Sequence, residues 1–398
     1  MNLIFISPNF PLYYWNFCKS LKDRGVTVLG IGDAPYDELM KETKDNLNEY
    51  YKVNNLQDYG EVYRAVAFFI SKYGRIDYIE SQNEFWLELE AKLREDFNIY
   101  HGFRPKELEV MKYKSKMKAV YASVGVPTAR YVVFSDHQEL YDFIEKVGYP
   151  IVVKPDNGVG ASSTYKLKDQ GDTERFLQQW DPQISFIAEE FINGHVETFD
   201  GVTNSECEVL FCTSHVMMNS IMDNVNEGCD TSFYGQMVKG TDIEAIGKKV
   251  VKAFKAKNRF FHFEFFRLDK DKDGLGKKGD IVGLEVNMRA PGAYMPDMMN
   301  YAYNANVYDI FADSLIYDKC FIEPHQQYCI GYVGRRDGLK YKAHIQQIKM
   351  KFKEQLISYQ SVPAALAAAM GNQVFLLRAT NEKDIVDMIS YVLEKEND

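Results

Sequence analysis

Two short runs in this sequence place acids where a divalent cation could sit. Phe261-His-Phe-Glu264-Phe-Phe266 alternates, which puts His262, Glu264 and Phe266 on one face of an extended strand. Residues 281–289 alternate as well, with Glu285, Asn287 and Arg289 on one face and Val282, Leu284, Val286 and Met288 on the other. An antiparallel hairpin turning about the Gly274–Leu275 bond sets Glu264 directly opposite Glu285. Opposed side chains have Cβ atoms about 4.5–5.5 Å apart, so two carboxylates there repel unless they share a cation. Asn287 adds a neutral oxygen, and Mg2+ characteristically takes few protein oxygens while water and nucleotide phosphate fill its other positions. The competing reading is a solvated strand face whose acids pair with nearby lysines, and a bulge in the hairpin would break the register.

A second candidate is the run Tyr149-Pro-Ile-Val-Val-Lys154-Pro-Asp-Asn-Gly158-Val-Gly160-Ala-Ser-Ser-Thr164: apolar, then basic, then rich in glycine and small hydroxyl residues. Glycines let successive backbone N–H groups converge on one anion, and a nearby lysine adds full charge. Phosphate is the expected guest. No Gly-Lys-Ser/Thr follows, so this is not a Walker loop, and a strand rather than a helix is expected after it, so it is not a dinucleotide fingerprint. A hairpin that uses glycine only to turn is the alternative. Between the two acidic strands, Asp269-Lys-Asp271-Lys-Asp273-Gly274 imitates the start of a calcium loop with Asp280 in the twelfth place. Flanking strands, a short final acid and Lys277 and Lys278 argue for a solvated hairpin end instead.

The elements that must carry these residues follow from periodicity. A strand at 3–6, a helix at 15–24 stopped by Gly25 and a strand at 26–31 open a βαβ pattern, which continues with a helix at 59–73, a strand at 76–81 and a helix at 85–97. This predicts an α/β domain over residues 1–107. A lysine-studded helical segment at 104–124 ends at Gly125-Val-Pro127 and begins a second domain, 108–325, of α+β grammar, with a mobile lid at about 128–195. A C-terminal α+β subdomain is expected over 326–398.

Length and charge narrow the function. A chain of 398 residues carries two or three domains, and 47 basic against 57 acidic residues give a net charge of −10. A surface of that sign repels nucleic-acid backbones and anionic lipid. Six cysteines without a CxxC pair suggest reduced thiols in a cytoplasm, and MNLIFISPNF lacks the basic start of an export signal. The uncharged run at 355–377 is interrupted by Pro363 and Gly371, predicting helix, turn and strand rather than a membrane span.

Taken in order, Lys114 ahead of Gly125-Val-Pro, the Val-Val-Lys154 strand and glycine loop, Glu189-Glu190-Phe191-Ile192-Asn-Gly-His-Val-Glu197, Glu264, and Glu285-Val-Asn287-Met-Arg289 resemble the ATP-grasp superfamily. Ser81-Gln-Asn-Glu84 with Asn98-Ile-Tyr-His-Gly102 is similar to the companion domain of biotin carboxylase and of carbamoyl-phosphate-synthase-like amino-acid ligases. The resemblance implies two α+β modules gripping ATP between antiparallel sheets. It places Lys114 and Lys154 on phosphates, with Asp156, Gly158, Gly160, Ala161, Ser162 and Ser163 in a mobile flap. Glu189, Glu190, Phe191 and Ile192 would hold adenine through backbone and apolar side chains, and Glu197 would hold ribose. Glu264, Glu285 and Asn287 would hold one or two Mg2+ ions, or Mn2+ in their place. Arg289 would stabilise charge developing on the acyl group, with Glu84 and Gly292 on the substrate side. Tyr113 stands where an aspartate often precedes the first lysine, which leaves Lys116 as an alternative to Lys114.

The reaction this implies is ATP-dependent joining of a small carboxylate to an amine, giving an amide, ADP and phosphate, in a homodimer by analogy. A bicarbonate-phosphorylating enzyme is the first rival, weakened by a single grasp unit, no biotinyl Met-Lys-Met site and no glutaminase. A non-catalytic ATP-binding regulator is the second. The stretch 219–239, rich in Asn, Asp and Gly, reads equally as a lid or as plain surface.

Overall fold

The structure is a computed structural model that describes residues 1–158, 163–218 and 228–396. Its first sheet is parallel, built from β1 (Asn2–Ile6), β2 (Thr27–Gly32), β3 (Glu49–Lys52) and β4 (Tyr78–Glu80) in the order β3-β2-β1-β4. β1, β2 and β4 are short, almost wholly buried runs because helices cover the sheet, whereas β3 (Glu-Tyr-Tyr-Lys) is its half-exposed edge. The helix Tyr59–Tyr73 buries Val62, Ala65, Val66 and Phe69, starts on the Asp58 carboxylate and stops at Gly74, whose φ of 81° suits glycine. Because β1 and β4 pair directly, the loops after them emerge side by side at the carboxyl ends of the strands. That is where open α/β sheets bind ligands.

A second sheet has four antiparallel-paired strands, β5 (Tyr131–Phe134), β6 (Ile151–Pro155), β7 (Tyr165–Leu167) and β8 (Phe186–Glu190), in the order β5-β8-β6-β7. All four fall within the stretch expected as a lid.

The third sheet has eight strands, in the order β13-β12-β9-β10-β11-β14-β16-β15. These are β9 (Gly194–Thr203), β10 (Val209–Met217), β11 (Thr231–Gln236), β12 (Phe260–Leu268), β13 (Ile281–Asn287), β14 (Cys329–Arg335), β15 (Leu356–Ser361) and β16 (Gln373–Ala379). The residues set apart as a C-terminal subdomain thus extend the same sheet, β14 pairing with β11. The uncharged run near 355–377 is strand, helix (Ala364–Met370) and strand, the helix ended by Gly371 at φ 83°. Of the 219–239 stretch, residues 219–227 lie outside the described residues, while β11 runs inside the sheet.

One core joins the parallel sheet to the large one. Phe17 packs edge-on against Tyr308, Phe311 and Phe260 at centroid distances of 4.7, 5.4 and 5.8 Å, and Arg24 pairs with Asp309 and Asp313 at 2.8 and 2.6 Å. The helical segment expected at 104–124 is two helices, Pro105–Lys112 and Lys114–Ser123, broken at Tyr113, which is extended and bridges to Asn157. The break lets the Lys114 amide donate to the carbonyl of Asp156 at 2.9 Å, tying the second helix to the glycine loop.

Candidate active site

The site is assembled where the large sheet, the β5–β8 sheet and the helix Lys114–Ser123 meet. On the large sheet, β12 and β13 pair antiparallel with Glu264 opposite Glu285 and His262 opposite Asn287. The route to that pairing differs from a simple hairpin. Phe265 with Gly283, Phe266 with Val282, and Lys272 with Gly276 are symmetric about Gly274 itself, and an extra residue, Leu284, then shifts the register by one. The bulge restores the opposition of the two acids. Gly283 lies under the Tyr121 ring, where a Cβ would come within 2.7 Å, and Tyr121 donates to the Glu285 carbonyl at 3.3 Å.

The lysines face these acids. Lys114 Nζ lies 3.8 Å from Glu285 and donates to the Gly158 carbonyl at 3.0 Å, whereas Lys116 turns to Glu109 on the exposed side. Lys154 and Lys118 hold Glu189 between them at 2.7 and 2.5 Å, all three side chains nearly buried. Burial pushes the Glu189 carboxyl up, but the two ammonium groups more than offset this and hold it at about 2. Burial likewise opposes the charge on Lys154, and Glu189, Glu285 and Glu264 outweigh it. Asp156 spends both oxygens on Ser115, at 2.7 Å from its amide and 2.7 Å from its hydroxyl, so it anchors the glycine loop to the helix. Gly160, Ala161 and Ser162 lie outside the described residues; Gly158 and Ser163 flank them.

At the end of β8 the side chains divide by alternation. Glu190 points away from Glu189 and pairs with Arg130 and Lys272 at 2.6 and 3.1 Å. Phe191 stacks under Lys166, whose Nζ is 4.0 Å from the ring centroid. Ile192 joins Ala129, Leu268 and Val282 in a small apolar cluster beside the cleft. Glu197 is fixed by Arg267 at 2.5 and 2.8 Å, with His195 at 3.3 Å. Burial raises that carboxyl, and the cations around it bring it down to about 2.

Arg289 follows β13 on a segment clamped from two sides: the Ala290 amide donates to Gln82 of the N-terminal domain at 3.3 Å, and Arg259, just ahead of β12, donates to the Met288 carbonyl at 2.8 Å. Glu84 sits within the fields of Arg289, Lys112 and Glu285, is only 6% exposed, and its Oε2 has no hydrogen-bond partner among the described residues. Burial therefore raises its carboxyl. Space is open beside Gly292. Sequence reasoning missed Lys118 and Arg267 as carboxylate partners, together with Asp200 and His215 behind the acids. Polar residues at inward positions of apolar strands were the available signal. The calcium-like loop ties up its own acids, Asp280 accepting from the Lys277 amide and Asp271 from the Lys278 amide, both at 2.8 Å.

The donor set suits a hard cation. Glu264 and Glu285 stand opposite each other on neighbouring strands with Asn287 two residues along, and among the described residues no group of three or more His, Cys, Asp or Glu forms an all-protein cage. Such a set holds Mg2+ when phosphate and water complete the shell. All six cysteines are free, and among the described residues no helix is long and apolar enough to cross a membrane.

Comparison with known proteins agrees with this geometry. The ATP-grasp domain family matches residues 112–292. The chain is 24% identical over 191 residues to phosphoribosylamine–glycine ligase of Fusobacterium nucleatum, an alignment that covers 44% of this chain and 43% of that protein. It is 23% identical over 332 residues to an L-arginine-specific L-amino acid ligase of Bacillus subtilis, covering 77% of this chain and 73% of that one. The chain thus spans less than half the length of the first of these curated relatives. Among solved structures, the L-amino acid ligase from Bacillus licheniformis superposes with a TM-score of 0.73 at 16% identity, over 98% of this chain and 96% of that one. The biotin carboxylase domain of a 2-oxoglutarate carboxylase from Hydrogenobacter thermophilus gives 0.69 at 13% identity, over 98% and 89%. The carboxylate pair, Lys114, Lys154 and Arg289 all lie within residues 112–292, the part of the chain that matches the ATP-grasp domain family.

Proposed function

We propose that the protein is an ATP-dependent carboxylate–amine ligase. The observation that carries this reading is that Lys114 lies 3.8 Å from Glu285, which pairs across the strands with Glu264, while Lys154 and Arg289 act on Glu264 through space. A carboxylate oxygen attacks the γ-phosphorus of ATP, the bond from that phosphorus to the β–γ bridging oxygen breaks, and ADP leaves. The amine nitrogen then attacks the acyl carbon, the carbon–oxygen bond to phosphate breaks, the nitrogen gives up a proton, and an amide and inorganic phosphate result.

The chain's part is placement and charge. Lys114 and Lys154 offset phosphate charge that repels the incoming carboxylate. The backbone of 189–192 and the apolar cluster around Ile192 receive adenine, and Glu197 receives ribose. Glu264, Glu285 and Asn287 would hold Mg2+, which when bound would neutralise phosphate charge. Arg289 steadies the oxyanion at the acyl carbon, and the Glu84 carboxylate, whose Oε2 has no hydrogen-bond partner among the described residues, receives a substrate cation. The test is an ADP-release screen of carboxylic acids crossed with amines, with the product identified by its mass. Arg289→Ala should lose ADP release at least 100-fold while still binding ADP; ADP release at the original rate removes the assignment. Incorporation of labelled bicarbonate without an acid and amine pair replaces the ligase reading by its rival.

A further inference from the structure

Behind the two opposed glutamates lies a row of buried polar side chains that the ligase chemistry does not itself require. Asp200 on β9 is fully buried, and both of its oxygens are engaged. Nδ1 of His262, directly opposite on β12, lies 2.5 Å from Oδ1, and Nδ1 of His215 on β10 lies 2.8 Å from Oδ2. His262 then reaches forward, its Nε2 3.2 Å from Oε1 of Glu264. His215 and His262 are 1% and 7% exposed.

A charged group carried into a sheet interior costs several kcal/mol unless it is fully paired, so such a row persists only where its geometry is used. The geometry has one outlet. Asp200 holds Nδ1 of His262, which turns Nε2 to Glu264, and one oxygen of Glu264 is engaged there. The other oxygen alone is left for the face shared with Glu285.

We infer that Asp200 and His262 are positioning residues for Glu264, holding it as a single-oxygen ligand of the cation, with His215 fixing Asp200 from behind. This rests on the proposed role of Glu264 in metal binding. Outer partners of this kind typically change metal affinity about 10–100-fold when removed.

The test uses the full chain with ADP and Mn2+ as the probe, following bound Mn2+ by electron paramagnetic resonance, with urea denaturation to check folding. His262→Leu should weaken Mn2+ binding about 10–100-fold and leave ADP binding without metal unchanged. His262→Gln, whose amide still donates to Glu264, should recover most of the loss, and Asp200→Asn should fall between them. In a Glu264→Ala background, His262→Leu should cost nothing further. Unchanged Mn2+ affinity in His262→Leu, where Glu264→Ala does weaken it, overturns the positioning role alone. Unchanged affinity in Glu264→Ala overturns the metal assignment beneath it.

Discussion

Arg259 donates its Nε–H to the carbonyl oxygen of Met288, one residue before Arg289, across 2.8 Å. Its Nη2 lies 3.4 Å from Glu80, the last residue of β4, and its guanidinium stacks 4.9 Å from the Phe103 ring centroid. One fully buried cation therefore spans the N-terminal sheet, the connector into the ATP-grasp domain and the arginine loop.

Arg259→Met should be strongly destabilising, by about 3–5 kcal/mol, because it leaves Glu80 buried with one cation fewer. Urea denaturation measures this. Arg259→Lys keeps the charge but loses the planar fork, so it should fold more stably than the Met variant yet still lower kcat.

Glu84 predicts a trade between stability and function. Its carboxyl is raised in the folded chain, so folding is favoured where the group is protonated and loses free energy as pH rises above the ordinary carboxylate range. Glu84→Gln should therefore be more stable than the parent at pH 7, and the gap should close by pH 4. In the same variant KM for one substrate should rise. A variant less stable than the parent at pH 7 would show that the carboxylate is compensated.

Glu197 runs the opposite way. Its carboxyl is depressed to about 2, so the stabilisation it shares with Arg267 is complete above the ordinary carboxylate range and is lost as pH falls toward 2. At about 1.4 kcal/mol per pKa unit this is on the order of 3 kcal/mol. Arg267→Met should show most of that deficit at pH 6 and much less at pH 3, read from urea midpoints at each pH.

Gly283→Ala puts a methyl group 2.7 Å from the Tyr121 ring. Overpacking of this kind costs about 1–3 kcal/mol. The melting temperature should fall, and Tyr121→Leu in the same chain should restore part of it.

Alternation alone made the carboxylate pair legible, since a run such as 261–266 leaves little freedom over which residues share a face. The bulge at Leu284 was not legible, because an unpaired residue in a strand carries no compositional mark. The expected opposition holds because the turn is displaced by half a residue and the bulge displaces the register back. In the lysine run at 112–118 the resemblance favours Lys114 with Lys116 as its alternative, and spacing gives no physical reason for the order; in the fold the break at Tyr113 sends Lys114 toward Glu285 and Lys116 outward. Asp200 and His215 were invisible for a different reason. They stand on separate strands, far apart in sequence from each other and from His262, and their meeting is created by registers across three strands.

The extra residue at Leu284 also separates two parts of one hairpin mechanically. β12 is paired along its whole length to β9, from Phe260 opposite Val202 to Leu268 opposite Gly194, with no shift. The segment bearing Glu264 is thereby moored to the sheet interior, independently of how the ribbon closes beyond it. Lengthening the tip at Gly274 and Leu275, beyond Lys272 and its pairing with Glu190, changes only slack line, which makes that turn the place to graft a reporter peptide without dragging the acids off their mark.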